Sequence, residues 1–225
     1  MVPLLEAENL DKAYPRAGGA VEVLHGCDLS LQAGEAVAVM GPSGSGKSTL
    51  LNIMGGLDWP DGGSVRHRGR PLDLADPRAM SVWRTTGVGF VFQFHFLLPD
   101  FTARENLLLP VQARRRLAAD DGARADRLLA AMGLSARAEH LPGELSGGEQ
   151  QRVAVARAFM NRPDIVLADE PFGNLDRDKG AQLGDLLFDL RREEGIALVI
   201  VTHDPVLAAR ADRTLVLEAG RLRPA

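Results

Sequence analysis

Short apolar runs separated by stretches of helical periodicity set the layout of this chain. Ala36–Met40, Ile165–Asp169, Ala197–Thr202 and Thr214–Glu218 are runs of Val, Ile, Leu and Ala with few polar interruptions. Runs of that length, bounded by turn residues, read as strands covered on both faces. Their alternation with helical patterns predicts an α/β fold with a largely parallel sheet. Residues 4–35 alternate weakly, as in Cys27, Leu29 and Leu31, with turn signals at Gly18-Gly19 and Ala33-Gly34. That stretch predicts an antiparallel β segment at the start. Val88, Phe90 and Phe92 share one face of a further strand that Gln93 ends, with Val91 and Gln93 on the other face, and this period-two spacing predicts Phe90 and Phe92 as core residues. A helix is expected from about Lys47. From about 100 to 160 the chain is rich in Ala, Leu and Arg and poor in β-branched residues, which predicts a mostly helical insertion. No internal repeat, low-complexity tract or long linker interrupts the pattern.

Composition narrows the function classes. With 225 residues, 45% hydrophobic and 25% charged, the chain is globular rather than disordered. A net charge of −4 gives no support to a nucleic-acid-wrapping surface. The single cysteine, Cys27, excludes an internal disulfide. No apolar run approaches the ~20 residues that span a bilayer. The first residues lack a basic stretch followed by an apolar core, so no signal peptide is expected, and any membrane contact is expected to come only through partners. Of 26 basic residues all but Lys12, Lys47 and Lys179 are arginine, so each retained lysine asks for a reason.

Gly41-Pro42-Ser43-Gly44-Ser45-Gly46-Lys47-Ser48 fits G-x-x-x-x-G-K-[ST], after a predicted strand and before a predicted helix. Glycines allow the backbone to turn its N–H groups inward, and the helix N-terminus adds positive potential. Lys47 brings a compact point charge to the β- and γ-phosphates, a task for which a forked guanidinium is less suited. The Ser48 hydroxyl is placed for Mg²⁺, and Thr49 follows in the same turn. The motif predicts a nucleoside triphosphate site. Ile165–Asp169 then ends in Asp169-Glu170-Pro171. Asp169 is placed to hold Mg²⁺, and Glu170 to polarise an attacking water as general base. Two carboxylates at a strand end are by themselves also an ordinary solvated terminus; the phosphate loop favours the metal reading.

Leu145-Ser146-Gly147-Gly148-Glu149-Gln150-Gln151-Arg152 resembles the LSGGQ signature of the nucleotide-binding subunits of ABC transporters. A helix N-cap explains Ser146 and Glu149, but not the whole string. The resemblance covers essentially the whole chain, so that one nucleotide-binding domain is expected over 1–225. It implies a P-loop NTPase (RecA-like) core over 1–93 and 161–225, with the antiparallel β segment at its start and a helical subdomain at about 94–160. It implies two subunits sandwiching two ATP molecules, with Ser146, Gly147 and Gly148 facing the ATP of the other subunit and Asp176, in Asn174-Leu175-Asp176, at the dimer interface. It further implies that Gln93 senses Mg²⁺ and the γ-phosphate, that His203 contacts the γ-phosphate, and that Tyr14 stacks on adenine. From residues alone, a lone histidine after an apolar strand is more often structural, so His203 takes its role only from the motifs around it, and Tyr14 is nearly as well read as a core or surface tyrosine. Phe172 departs from the Thr or Ser usual in the family, but removes no catalytic group.

The run from Phe92 to Asn106, with Gly55-Gly56-Leu57-Asp58 and Gly173–Asp176, is similar to the branch that includes lipoprotein-releasing ATPases and MacB-type macrolide exporters. That implies a peripheral subunit on the cytoplasmic face of the inner membrane, coupled to LolC/LolE-like integral permeases, using ATP and Mg²⁺ to drive outer-membrane-directed lipoproteins onto a periplasmic carrier. The alternatives are a MacB-like macrolide or peptide exporter, or a soluble ABC-type ATPase acting on nucleic acid. A single cassette, one cysteine and no sustained heptads count against the last, and no nucleic-acid partner is expected. No N-K-x-D motif supports a P-loop GTPase. Phe94, Phe96 and Phe101 form either a groove for another protein's helix or extra packing for the insertion. Arg114–Arg116, with Asp120, Asp121 and Asp126 close behind, reads as a solvated helical face.

Overall fold

The structure, a computed structural model, describes residues 2–16 and 18–225. In chain order its elements are β1 (Leu5–Arg16), β2 (Gly19–Leu31), β3 (Ala36–Met40), α1 (Lys47–Met54), β4 (Gly62–His67), β5 (Arg70–Pro71) and α2 (Pro77–Thr86). There follow β6 (Val88–Val91), α3 (Ala103–Gln112), α4 (Ala119–Ala131), α5 (Gly147–Phe159), β7 (Ile165–Asp169) and α6 (Arg177–Glu194). The last are β8 (Ala197–Val201), α7 (Pro205–Ala208), β9 (Arg213–Glu218) and β10 (Arg221–Pro224). The chain falls into two compact units, one formed by the residues up to Arg84 together with Ala197–Ala225, the other by Thr85–Ile196.

In the first unit β3 runs parallel to β8 and β9, and β10 closes the edge antiparallel to β9. Ala36–Val39 and all of β8 are fully buried, which is why these strands read as unbroken apolar runs. Leu50, Leu51, Ile53 and Met54 bury the inner face of α1. A second, antiparallel sheet has the order β2-β1-β4-β5. Leu5, Ala7, Leu10, Cys27, Leu29 and Leu31 fill its inner face. The alternation is weak because the β1–β2 register shifts three times between Ala7 and Ala13, and Asn9 takes a φ of +50°. Each shift exchanges the inward and outward faces.

In the second unit β6 and β7 pair in parallel, from Val88 opposite Ile165 to Val91 opposite Ala168. Helices α3, α4 and α5 pack on one another around Leu107, Val111, Leu129, Val155 and Phe159. Helix α3 opens on a capping box, the Thr102 hydroxyl accepting from Glu105 N and Glu105 Oε2 from Thr102 N, which satisfies two donors that the helix geometry leaves over. One turn in, the fully buried Asn106 takes the Leu98 N–H on its oxygen and gives its amide to the carbonyls of Leu98, Phe101 and Thr102. Arg124 ties α4 to the end of α5 through the Phe159 and Met160 carbonyls and to Glu194 of α6.

Two expectations need correction. Strand β6 stops at Val91, so Gln93 lies two residues beyond it. The Phe92 carbonyl takes its hydrogen bond from the Gln151 side chain. Phe90 and Phe92 are half-buried, their rings stacked 5.5 Å apart, rather than central to the core. Among the described residues no helix is long and apolar enough to cross a membrane.

Candidate functional site

The phosphate loop belongs to the first unit. Strand β3 delivers the chain at Met40 into the loop 41–46, and α1 starts at Lys47. Gly46 caps the helix with φ +102°, and a Cβ there would lie 2.8 Å from both Val23 Cγ1 and the Val23 carbonyl oxygen. Only glycine meets both demands. The first turn of α1 carries no acidic residue. The N–H groups of Lys47, Ser48 and Thr49 have no partner within the helix, so the positive end of its dipole is left for an anion. Lys47 is nearly buried, and its Nζ donates to the carbonyls of Gly41 and Pro42, each at 2.9 Å. That folds the ammonium over the loop and leaves one of its three protons. Ser45 Oγ is buried without a hydrogen-bond partner, a state that a ligand oxygen or water would relieve. Pro42, Ser43, Gly44 and Ser48 are exposed at the loop surface.

Tyr14, on β1, is 37% exposed. Its hydroxyl donates to Asp58 Oδ2 at 2.6 Å, and the Lys12 ammonium lies 5.1 Å from its ring centroid. Lys12 is itself buried, donating to Asp58 Oδ1 at 3.0 Å and to the Trp59 carbonyl at 2.7 Å. Burial and the Asp58 carboxylate push the Tyr14 hydroxyl above its usual pKa. Burial alone would raise Asp58 too, but the Tyr14 and Lys12 hydrogen bonds hold it below the usual carboxylate value. This arrangement gives Lys12 its reason. Sequence reasoning missed it, although the scarcity of lysine was a usable signal. His203 is exposed, just past β8, between the buried Thr202 and Asp204, which caps α7 by accepting from Val206 N at 2.8 Å.

In the second unit, β7 ends at Asp169, whose Oδ1 is buried without a hydrogen-bond partner. A buried carboxylate oxygen left over fits a cation or a bound water. Glu170 follows with φ +43°, a strained conformation for a side-chain-bearing residue. The turn closes by Gly173 N donating to the Glu170 carbonyl at 3.1 Å. Gln93 and Asn174 pair reciprocally, Gln93 Nε2 to Asn174 Oδ1 at 3.2 Å and Asn174 Nδ2 to the Gln93 carbonyl at 3.0 Å. The structure therefore brings together the two segments carrying Gln93 and Asp176. Asp176 caps α6, accepting from Lys179 N at 3.0 Å and pairing with its ammonium at 2.8 Å, and Lys179 holds its carboxyl below the usual value. Phe172 is buried and faces Gly180, one turn into α6, so it packs the base of that helix.

Ser146 caps α5. Its Oγ accepts from Glu149 N at 3.3 Å, while Glu149 Oε2 accepts from Ser146 N and Ser146 Oγ, each at 2.8 Å, and the two bonds to the carboxylate hold it below its usual pKa. Beside Gly147 and Gly148 a cleft of about 290 Å³, lined in part by Ser146, Gly148, Arg152 and Lys179, opens at this helix end. Dipole, Arg152 and Lys179 favour an anion there, against the Glu149 carboxylate that also lines the cleft and the Asp176 carboxylate already paired with Lys179. Among the described residues no three His, Cys, Asp or Glu side chains are grouped as a metal centre. Mg²⁺ needs only one or two protein oxygens besides water and phosphate, and Asp169 Oδ1 and the exposed Ser48 hydroxyl are oxygens of that kind.

A family model described as ABC transporter matches residues 24–173. The lipoprotein-releasing system ATP-binding protein LolD of Bordetella pertussis is 51% identical over 222 residues, covering 99% of this chain and 96% of that protein. Among solved structures, the dimeric post-hydrolysis state of the ATP-binding cassette MJ0796 bound to ADP and Pi matches with a TM-score of 0.88 at 38% identity, over 97% of this chain and 96% of that one. The structure of cbiO1 from Clostridium perfringens, part of the ABC transporter complex cbiONQ, matches with a TM-score of 0.87 at 26% identity, over 99% of this chain and 88% of that one.

Proposed function

This chain belongs to the ABC transporter family and is an ATP-hydrolysing cassette of it, and from that premise we propose that it powers the release of outer-membrane-directed lipoproteins from the inner membrane onto a periplasmic carrier. The observation that carries the reading is 51% identity to a lipoprotein-releasing ATP-binding protein, spread over 99% of the chain. The chain works as a homodimer on the cytoplasmic face of the inner membrane, bound to LolC/LolE-like permeases. Exposed Phe94, Phe96, Leu98 and Phe101 supply an apolar surface for such a partner.

In this reading Lys47 and the N–H groups at the start of α1 hold the phosphates of ATP, and Tyr14 stacks on adenine. Ser48, Asp169 and Gln93 hold Mg²⁺, which when bound neutralises charge developing on the phosphates. Glu170 accepts the proton of a water whose oxygen attacks the γ-phosphorus, and the bond to ADP breaks as the new P–O bond forms. His203 contacts the γ-phosphate. Ser146, Gly147 and Gly148 present the N-terminus of α5 to the ATP of the second subunit, with Asp176 at the interface. The test is affinity purification of the Glu170→Gln protein from native membranes with ATP, with the co-purifying proteins identified by mass spectrometry. Permeases with large periplasmic domains and acylated lipoproteins are expected. A macrolide- or peptide-export permease would overturn the cargo, and the absence of any membrane protein would overturn the transport role.

A further inference from the structure

Gln151 is 1% exposed and sits in the second turn of α5. Its Nε2 donates to the Phe92 carbonyl at 2.9 Å and to the Pro171 carbonyl at 2.6 Å. Both amide protons are thereby used, so Oε1 must accept. Its contact with His95 Nδ1 at 2.6 Å therefore makes that nitrogen the protonated one. Phe92 immediately precedes Gln93, and Pro171 immediately follows Glu170. All three partners lie 20 or more residues away in sequence. Further along α5, Arg157 donates to the carbonyls of His95 and Phe96 at 2.8 and 2.7 Å. Two side chains of the helix that begins at Ser146 thus grip the segment leaving β6, and one of them also grips the turn that carries Glu170.

A buried amide used only to fill space is replaceable by a side chain of equal volume. The Gln151 amide instead joins the two main-chain atoms flanking Gln93 and Glu170 to the signature helix, and a helix moves as a rigid rod over five residues. We propose that Gln151 is a positioning residue: it holds the main chain beside Gln93 and Glu170 in register with the N-terminus of α5, so that a nucleotide engaged at Ser146 sets the placement of both. The inference rests on the roles proposed for Gln93, Glu170 and Ser146. Glu170 is strained at φ +43°, and such a conformation persists only where its surroundings hold it; the Pro171 carbonyl bond is one such hold.

The test is Gln151→Met, which keeps the volume and removes all three hydrogen bonds, with Gln151→Glu as the isosteric polar variant, which keeps the acceptor for His95 and lacks the amide donors. Binding of a fluorescent ATP analogue, steady-state turnover and thermal midpoint are measured for both, beside Glu170→Gln. The expected result is a kcat lowered about ten- to a hundred-fold at temperatures where the protein stays folded, with nucleotide affinity within about two-fold of wild type. An unchanged kcat, or affinity and kcat falling together in proportion to the unfolded fraction, would overturn the positioning role. Should Gln151→Met not fold, the same split is read from Gln151→Glu. Full turnover by Glu170→Gln would instead remove the base assignment on which the inference stands, so the two failures are distinct.

Discussion

The left-handed backbone at Glu170 makes a prediction in which stability and activity move in opposite directions. A side-chain-bearing residue in this region is disfavoured by ~1–2 kcal/mol relative to glycine. Glycine loses more freedom on folding, which returns ~0.5–1 kcal/mol. Glu170→Gly should therefore stabilise the fold by up to roughly 1.5 kcal/mol, about 0.75 kcal/mol at the centre of the two ranges, a rise in Tm of about 1.5–3 °C at that centre for a chain of this size. The same substitution removes the proposed base and should abolish turnover. Glu170→Gln is the control, because it also lacks the carboxylate yet keeps the strained φ and side-chain volume. Urea and thermal unfolding of the three proteins at one pH, with ATPase rates beside them, isolate the backbone contribution as the difference between Gly and Gln. A Gly variant no more stable than Gln would show that no strain is stored there.

Gly89 in β6 lies against α5 so closely that a Cβ would stand 2.1 Å from the Ala158 carbonyl oxygen, which is main chain. Gly89→Ala must push β6 and α5 apart and should cost roughly 1–3 kcal/mol, seen as a lower urea midpoint; an unchanged midpoint would contradict the packing. Hydrogen bonds from the Arg115 guanidinium and the Ala118 N–H hold the Asp121 carboxyl at about 2, below its ordinary 3.8. Because the folded value lies below the unfolded one, the pair's contribution is complete above about pH 4 and fades as pH falls toward 2. Arg115→Ala should be less stable than wild type at pH 6 and converge with it by pH 2. A difference independent of pH would exclude the pair as its source.

What the sequence makes legible follows physical signal strength. The apolar runs of β3, β7 and β8 stand out because both faces of each are buried, and the loop before α1 because its glycines and lysine are chemically required. The helix Arg177–Glu194 has 18 residues and gave no comparable signal: its inward face is held by Leu183, Leu187, Phe188 and Leu190, and even includes the buried Arg191. In α2 only Met80 and Trp83 are buried, too few to show a period. Within the site, the chemistry-bearing residues were named from their motifs, but Gln151 and Lys12 were not given roles. Their partners are main-chain atoms or residues 20 to 59 positions away, which no local spacing encodes. The early end of β6 belongs to the same class, since a side chain from α5 takes the carbonyl that would have continued the strand.

The four-bonded Asn106 amide has a consequence for recognition. Side chains as exposed as Phe94 and Phe96, at 63% each, would ordinarily sit on a wandering loop, and a partner would have to freeze that loop before gaining from its apolar surface. Here the ordering was done at folding: Asn106 fixes the main chain from Leu98 to Thr102, and Arg157 fixes it at His95 and Phe96. The aromatic patch would therefore meet the permease proposed above as a stiff template. Most of the entropy lost in such docking would fall on the permease, which would make its own flexibility the quantity that tunes how tightly the two associate.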